Sequence, residues 1–383
     1  MSQLKPKRIV LHCGLHKTGS TYIQRNLQTN RELLLEQGVL YIGPNTFKKR
    51  CSALWRHLQW GVLDRKTPKR LKLETKSTLM ELAGMHPDTI HTIFLSFEAI
   101  FGTLRSGLVE PTSRKTPNHE EKTGLYRYAK SRTKRLITGL EASLDHRSIA
   151  WTILITSRNH EAFVRSCHTQ LLKEGHHKPH INNFDTFKET ADFSRTRPEY
   201  LEKCLQKLCR KRDVNIIRIN YEQATDPNEP RALLWNLLSQ ALPEQSNTIK
   251  EFLEADKENP NLQKNTNPGL SKKGLDLAIK VHPMLNKTEW KKFRKFLEKN
   301  FSSNSHESNA FPWDKPELLQ HQHVKILKHR IQAKLYRIIP KSSVNACINE
   351  RGLELAIEAR ALLNHREWKL LQEFLLKNFA KSS

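Results

Sequence analysis

Segments with the pattern of a strand alternate with segments with the pattern of a helix from residue 7 to residue 222. Short runs of β-branched and other apolar residues predict strands at 7–13, 39–43, 89–98, 149–158 and 214–222. Apolar residues at helical spacing predict intervening helices, among them 20–37, 123–145 and 159–173. This alternation predicts a three-layer α/β fold, in which helices cover both faces of a central parallel sheet.

The first predicted strand runs directly into a glycine loop, HCGLHKTGSTYIQ over 12–24. Gly14 and Gly19 keep the four-residue gap of an ATP-type phosphate loop, but Ser20 follows Gly19 and the lysine is Lys17, two residues before that glycine. Glycines let backbone N–H groups surround an anion, and the helix that follows directs its positive end at the same point. The loop is therefore expected to bind a phosphate, although it lacks the lysine that reaches the γ-phosphate of ATP.

The segment HKTGSTYIQ resembles the 5′-phosphosulfate-binding loop of sulfotransferases, particularly the bacterial type of this domain. A second motif of that family is an arginine at the end of a buried strand, with a serine eight residues later on the next helix. The stretch ITSRNHEAFVRS supplies Arg158 and Ser166 in that arrangement. The resemblance is clear over about residues 7–170, and it departs from many members at His160, where they carry proline.

The resemblance implies a P-loop-NTPase-like topology of the sheet and a donor, 3′-phosphoadenosine 5′-phosphosulfate. The residues that would hold its 5′-phosphate belong to the loop and the helix start: Gly14, Lys17, Thr18, Gly19, Ser20 and Thr21. Lys17 would also stabilise the bridging oxygen as the phosphate leaves. Arg158 and Ser166 would bind the 3′-phosphate, which distinguishes this donor from ATP, and a guanidinium can hold two phosphate oxygens at once.

Two residues are candidates for the base that activates an acceptor. Glu98 ends the predicted strand IFLSFE, at the carboxyl edge of the sheet, where apolar neighbours are expected to raise its pKa. Family members often carry an acidic residue at this place; a glutamate that merely caps the next segment is an equal alternative. His16, beside Lys17, is the rival base or an ordinary loop residue. No metal is required, and the GHHKPH segment (175–180) is interpreted as a solvated loop.

The formal net charge of +26 is spread along the chain, so a positive field is expected to favour anionic partners. The leading hypothesis is an enzyme, a sulfotransferase that modifies a hydroxyl or amine of a glycan or small molecule, with an acidic acceptor permitted. A kinase-like phosphotransferase, a basic nucleic-acid-binding protein and an inactive sulfotransferase-like interaction protein are the alternatives. Nucleic acid is disfavoured because no helix-turn-helix, zinc finger or aromatic RNA-binding platform is visible.

The C-terminal part contains a repeat. The segments 270–303 and 348–381 share 15 identities at an offset of 78 residues, and each has the pattern of a helix pair. The predicted division is a sulfotransferase-like domain at 1–300 and a helical extension at 301–383, in which 344–383 is a second copy of the helix pair at 266–303. A duplicated hairpin that packs on the core is the favoured interpretation, and a partner-binding role is open.

The remaining features concern location. The N-terminal apolar stretch is only Ile9–Leu11, too short for a signal peptide, and no apolar run approaches the roughly 18 residues of a membrane helix. The six cysteines have no spacing typical of a disulfide or metal framework. We therefore expect a cytoplasmic protein with free thiols and no membrane span; the sequence leaves the oligomeric state open.

Overall fold

A computed structural model describes residues 4–61, 67–85, 87–109, 124–144, 149–176, 178–209, 212–226, 228–229, 231–255, 269–302, 348–360 and 362–379. The chain divides into two compact units. The first unit comprises 1–167 and 188–266, and the second unit comprises 168–187 and 267–383.

The first unit contains one parallel sheet of five strands. They are β1 (Arg8–His12), β2 (Val39–Ile42), β3 (Thr92–Ser96), β4 (Ala150–Ser157) and β5 (Val214–Asn220). The strand order is β2-β3-β1-β4-β5, and every neighbouring pair is parallel. The predicted α/β fold with a parallel sheet is confirmed.

Seventeen α-helices are described. They are α1 (Ser20–Thr29), α2 (Arg31–Glu36), α3 (Pro44–Arg50), α4 (Ser52–Trp60), α5 (Thr67–Ala83), α6 (Ala129–Leu144), α7 (His160–Lys173), α8 (Pro179–Asn182), α9 (Phe184–Thr190), α10 (Pro198–Cys209), α11 (Tyr221–Ala224), α12 (Ala232–Ala241), α13 (Ser246–Ala255), α14 (Lys272–Val281), α15 (Lys287–Asn300), α16 (Glu350–Arg360) and α17 (His365–Phe379). A 3₁₀ turn at Glu98–Ile100 begins two residues after the end of β3.

Helices cover both faces of the sheet. On one face, Val10, Phe94 and Leu154 pack in a core with side chains of α1, α2, α12 and α13. On the other face, α6 packs against α4, α5 and α10, and α10 also contacts β5. The central strands β1 and β3 are accordingly buried almost along their whole length, with apolar runs at 9–11 and 93–95, which is the expected pattern for parallel strands covered on both sides.

The helix predicted over 20–37 is two helices, because the chain turns at Asn30. Its backbone leaves helical geometry (φ −103°, ψ 25°), and its side-chain amide donates to Asn26 O at 2.8 Å. Asparagine side chains compete in this way with the helical hydrogen-bond ladder. The interruption lets α1 and α2 each bury a leucine-rich face against β2.

The two copies of the repeat pack against each other in the second unit. Helices α14 and α15 share one apolar core with α16 and α17, in which Trp290 and Trp368 occupy equivalent buried positions. Two ion pairs between the copies are formed by equivalent residues, because Lys273 corresponds to Arg351 and Glu289 to Glu367 at the 78-residue offset. Lys273 Nζ lies 2.6 Å from Glu367 Oε2, and Arg351 Nη2 lies 3.4 Å from Glu289 Oε2. The copies are therefore related reciprocally, as the two halves of a symmetric dimer are.

This packing differs from the predicted division at residue 300, which separates the first hairpin from the second. The structure groups both hairpins in one unit, because each buries its apolar face on its copy. The polar segment 110–122, interpreted as a loop, lies outside the described residues. Within the described ranges, no helix is both long enough and apolar enough to span a bilayer.

Candidate active site

Three polar segments follow three adjacent strands at the same edge of the sheet. The glycine loop follows β1, Glu98 follows β3, and Arg158 follows β4, with β1 between the other two. The carboxyl ends of parallel strands meet at one edge, where open α/β sheets bind their ligands. The sheet thus brings together residues that are about 60 to 140 positions apart in sequence.

The glycine loop is bound to both neighbouring strands. On one side, Cys13 N donates to Leu154 O at 2.9 Å, and on the other side Phe97 N donates to His12 O at 3.0 Å. The next hydrogen bond, from Leu15 N to Thr156 O, is 3.0 Å long. The loop therefore begins as an extension of β1 and has a fixed starting position.

Two residues of the loop have left-handed backbone geometry. Gly19, immediately before α1, has φ 75°, which glycine adopts without strain. Lys17 has φ 67°, a conformation that costs a non-glycine residue about 1–2 kcal/mol. Gly14 is needed for a different reason, since a Cβ there would lie 2.9 Å from His12 Nε2.

Gly19 offers a test of how tightly the loop is packed. Replacing it with alanine adds a Cβ only 2.6 Å from Leu233 Cδ2 in addition to the backbone strain, so we expect the free energy of unfolding to fall by about 2–4 kcal/mol. Gly84 is the matched control, because it has φ 70° with nothing within 4 Å; Gly84→Ala should cost only about 1–2 kcal/mol. Urea denaturation measures both, and equal losses would contradict tight packing at Gly19.

The first turn of α1 has N–H groups that no side chain caps, and it contains no acidic residue of its own, although Glu98 reaches its first residue from the turn after β3. Such a helix start is suited to an anion. Among the hydroxyls, Thr21 is exposed, whereas buried Thr18 donates to Leu15 O at 2.6 Å. Ser20 donates to Glu98 Oε2. Thr18 can thus offer an anion its backbone N–H only, while its side chain holds the turn.

His16 and Glu98 form one hydrogen-bonded group. His16 Nδ1 lies 3.5 Å from Glu98 Oε1, and His16 Nε2 donates to the carbonyl of Gly102 at 3.0 Å. The hydroxyl of Tyr126 accepts from His16 N at 2.8 Å, and the two rings stack. Both imidazole nitrogens of His16 are therefore engaged, whereas the carboxylate of Glu98 keeps 27% of its side-chain surface exposed.

The expectation that its surroundings raise the pKa of Glu98 is wrong. Burial alone would raise it, but the charge and hydrogen bond of His16, the hydroxyl of Ser20 and the more distant His12 outweigh burial and lower the pKa. His12 itself is held neutral, because burial lowers its pKa to about 4 despite the opposing charge of Glu98. Glu98 is therefore an ionised carboxylate at neutral pH.

Arg158 contacts the loop directly. Its Nη1 donates to Lys17 O at 3.3 Å, and its guanidinium lies 5.2 Å from the centre of the Tyr221 ring. Glu222 faces the same guanidinium, with Oε1 3.5 Å from Arg158 Nε, and also accepts from Asn159 N at 3.1 Å. The two sequence motifs thus meet in one crevice, which a carboxylate borders.

An open cavity of about 590 Å³ lies beside Arg158, at the carboxyl ends of β4 and β5. Arg197, Arg218 and His160 line it, and Arg218 is paired with Glu199 at 2.7 Å. Burial, Arg197 and Lys188 all lower the pKa of His160, because nearby positive charges disfavour a further one. Glu199 and Glu222 line the same cavity and face Arg218 and Arg158, so the lining carries both signs of charge. The size of the cavity suits a nucleotide-sized molecule.

A search among family models, curated proteins and solved structures finds no match to this chain. The function has to be inferred from the residues themselves.

The other predicted residues lie apart from this group. Ser166 is half-buried on α7, two turns beyond Arg158, and no hydrogen bond within the described ranges joins it to that arginine.

His176 lies before α8, which begins at Pro179, so it shares no helix with His180; His177 lies outside the described residues. Among described side chains, no three His, Cys, Asp or Glu converge in a way that could hold a metal ion. Burial raises the pKa of the Cys167 thiol, which argues against a nucleophile there.

Two further residues of the site were missed by sequence reasoning. Glu222 lies two residues after the end of β5, as Glu98 does after β3, so the strand-end rule that selected Glu98 and Arg158 could have selected it as well. Tyr126 gives no comparable signal, because it reaches His16 from a turn with φ 64° far along the chain.

Proposed function

We propose that the chain is a sulfotransferase that uses 3′-phosphoadenosine 5′-phosphosulfate and modifies a hydroxyl or amine of its acceptor. The hydrogen bond from Arg158 Nη1 to Lys17 O, at 3.3 Å, carries the proposal. It joins a loop suited to one phosphate to an arginine suited to a second one. A donor with phosphates at both its 5′ and 3′ positions can occupy both of these binding groups at once, whereas ATP has no 3′-phosphate.

The strand order supports the P-loop-NTPase-like topology that the resemblance implies. The loop follows β1, the central strand, and the chain leaves β1 toward β2 on one side of the sheet. After β4 it leads to β5 on the other side. Adjacent strands whose connections diverge in this way open a crevice between them, and ligands of open parallel sheets bind there.

The donor would be held at its two phosphates. The backbone of Gly14–Thr21, the start of α1 and the hydroxyls of Ser20 and Thr21 would bind the 5′-phosphate. Arg158 would bind the 3′-phosphate, with Ser166 assigned to the same group by resemblance. The cavity beside Arg158, which arginines and two carboxylates line, is large enough to hold the nucleoside.

The reaction requires in-line transfer rather than covalent catalysis by the protein. An acceptor oxygen forms a bond to sulfur as the bond from sulfur to the bridging oxygen breaks, so adenosine 3′,5′-bisphosphate leaves with the electron pair. Lys17 stabilises the charge on that oxygen, and the loop fixes the phosphate, which together lower the barrier through positioning and electrostatics. The acceptor proton passes to a carboxylate, and Glu98 is the candidate.

Glu98 suits the role of base better than His16 does. Its carboxylate is ionised and partly exposed at the strand edge. His16 uses Nε2 to donate to Gly102 O and directs Nδ1 at Glu98, so it is suited to orienting the carboxylate. The low pKa makes Glu98 a weak base in this arrangement. Movement of Ser20 toward a bound phosphate would remove one of the hydrogen bonds that lower the pKa of Glu98.

Calorimetric titration tests the proposal. The native chain should bind adenosine 3′,5′-bisphosphate at least tenfold more tightly, about 1.4 kcal/mol, than ATP with magnesium. The reverse preference would favour a kinase-like phosphotransferase instead. Absence of binding by both nucleotides would reject a nucleotide-dependent transferase altogether.

A further inference from the structure

Arg158 has a buried donor that a ligand could satisfy. Its Nη1 donates to Lys17 O at 3.3 Å, slightly longer than usual, and the Tyr221 ring lies against the guanidinium at 5.2 Å. Its Nε is buried and, among the described residues, has no hydrogen-bond partner. A buried N–H group without an acceptor is costly, so an anion that accepts from Nε is favoured at this position.

Glu222 faces the same Nε atom. Its Oε1 lies 3.5 Å from Arg158 Nε without forming a hydrogen bond, so it acts on the arginine through its charge. The side chain of Glu222 is 42% exposed, and an ion pair at such exposure adds little to the stability of a fold. The effect of this carboxylate therefore falls mainly on whatever Arg158 binds.

The carboxylate of Glu222 is held in place from the other side. Both of its oxygens accept from Asn159 N, at 3.1 and 3.2 Å. Asn159 precedes α7, and its own side chain accepts from Glu161 N at 3.1 Å and Ala162 N at 3.2 Å. The positive end of α7 thus stabilises the negative charge of Glu222, which stays beside Arg158.

A fixed carboxylate at this position opposes an anion on Arg158. An oxygen that accepts from Nε at the usual distance of about 2.9 Å lies no more than about 6.4 Å from Glu222 Oε1. This separation is shorter than the distance over which salt screens charges at physiological ionic strength. The two negative charges repel each other, so Glu222 weakens the binding of the anion that Nε attracts.

We propose that Glu222 is a built-in counter-charge that limits how tightly Arg158 binds the 3′-phosphate. This inference rests on the proposed function, in which that phosphate is present in the donor and in the departing bisphosphate alike. Binding energy common to both does not lower the barrier to transfer, and an excess of it retains the product. The counter-charge leaves Arg158 selective for a 3′-phosphate while it allows the bisphosphate to leave.

The test is Glu222→Gln in the full chain, with calorimetric titration of two nucleotides. Glutamine keeps an oxygen that can accept from Asn159 N, but it carries no charge. Adenosine 3′,5′-bisphosphate should bind the variant at least fivefold more tightly than the native chain. Adenosine 5′-monophosphate, which lacks the 3′-phosphate, should change by less than twofold. Unchanged or weaker binding of the bisphosphate would overturn the proposal, because it would make Glu222 a structural support of Arg158.

Two matched variants separate charge at this position from other effects. Glu222→Asp keeps the charge and should bind the bisphosphate within threefold of the native chain; a gain equal to that of glutamine would overturn the proposal. Glu161→Gln removes the same charge from the first turn of α7, where Glu161 is 64% exposed and pairs with Arg165 at 3.5 Å. Its effect should stay below twofold, and an equal gain would reduce the result to the overall field and overturn the proposal.

The same titrations distinguish this inference from the proposed function. A native chain that binds neither nucleotide would reject the proposed function and this inference with it. A native chain that binds the bisphosphate, with no gain in Glu222→Gln, would overturn the counter-charge alone.

Discussion

Arg158→Ala is expected to weaken binding of adenosine 3′,5′-bisphosphate at least 30-fold, about 2 kcal/mol, because it removes a hydrogen-bonded contact between charged groups. Adenosine 5′-monophosphate, which lacks the 3′-phosphate, should bind the variant and the native chain within threefold of each other. The reason is geometric: Arg158 is the cation that contacts the loop, through Lys17 O, and also lines the cavity. Isothermal titration calorimetry with both nucleotides measures the difference.

Arg218→Ala is the matched control for that result. Arg218 lines the same cavity, but its pair with Glu199, at 2.7 Å, is closer than the 3.5 Å pair of Arg158 with Glu222, so its removal should cost less than fivefold. Loss of both nucleotides to the same extent in Arg158→Ala would indicate damage to the loop. Undiminished binding of the bisphosphate would show that its 3′-phosphate lies elsewhere.

Glu98→Gln is expected to lower kcat about 10²–10⁴-fold, the usual contribution of a positioned base, with bisphosphate affinity kept within threefold. Glutamine retains the size of the side chain and its capacity to accept from Ser20, but it cannot take a proton. Transfer of labelled sulfate from the donor to an acidic oligosaccharide provides the assay. Full activity of the variant would exclude Glu98 as the base.

The pH profile gives an independent check on Glu98. The pKa of its carboxyl is lowered, so the ionised form persists down to below the ordinary glutamate value, and activity should be lost only as the pH falls through that lowered pKa. His16→Asn removes the largest of the contacts that lower the pKa of Glu98, so the acid limb should move to higher pH. A limb that stays in place would mean that another group controls it.

The sequence allowed the parallel sheet and the meeting of three strand ends to be predicted, because both follow from local pattern and from the geometry of parallel strands. It did not reveal that Ser20 and His16 would lower the pKa of Glu98, since those contacts depend on side-chain orientation across 78 to 82 residues of sequence. The interruption at Asn30 was missed because one asparagine hardly disturbs a helical pattern. The repeat was evident, but only the structure showed that its copies bury each other.

The left-handed backbone at Lys17 has a consequence for how the loop is maintained. Glycine would adopt φ 67° without penalty, so stability alone would favour glycine at this position. In the proposed reaction the amine of Lys17 stabilises the leaving oxygen, so the proposed function offsets the local backbone cost at this position. Selection for thermal stability alone should therefore favour glycine in place of Lys17. Such a loop would still bind an anion but would lose the amine proposed to assist transfer, unless activity is selected at the same time.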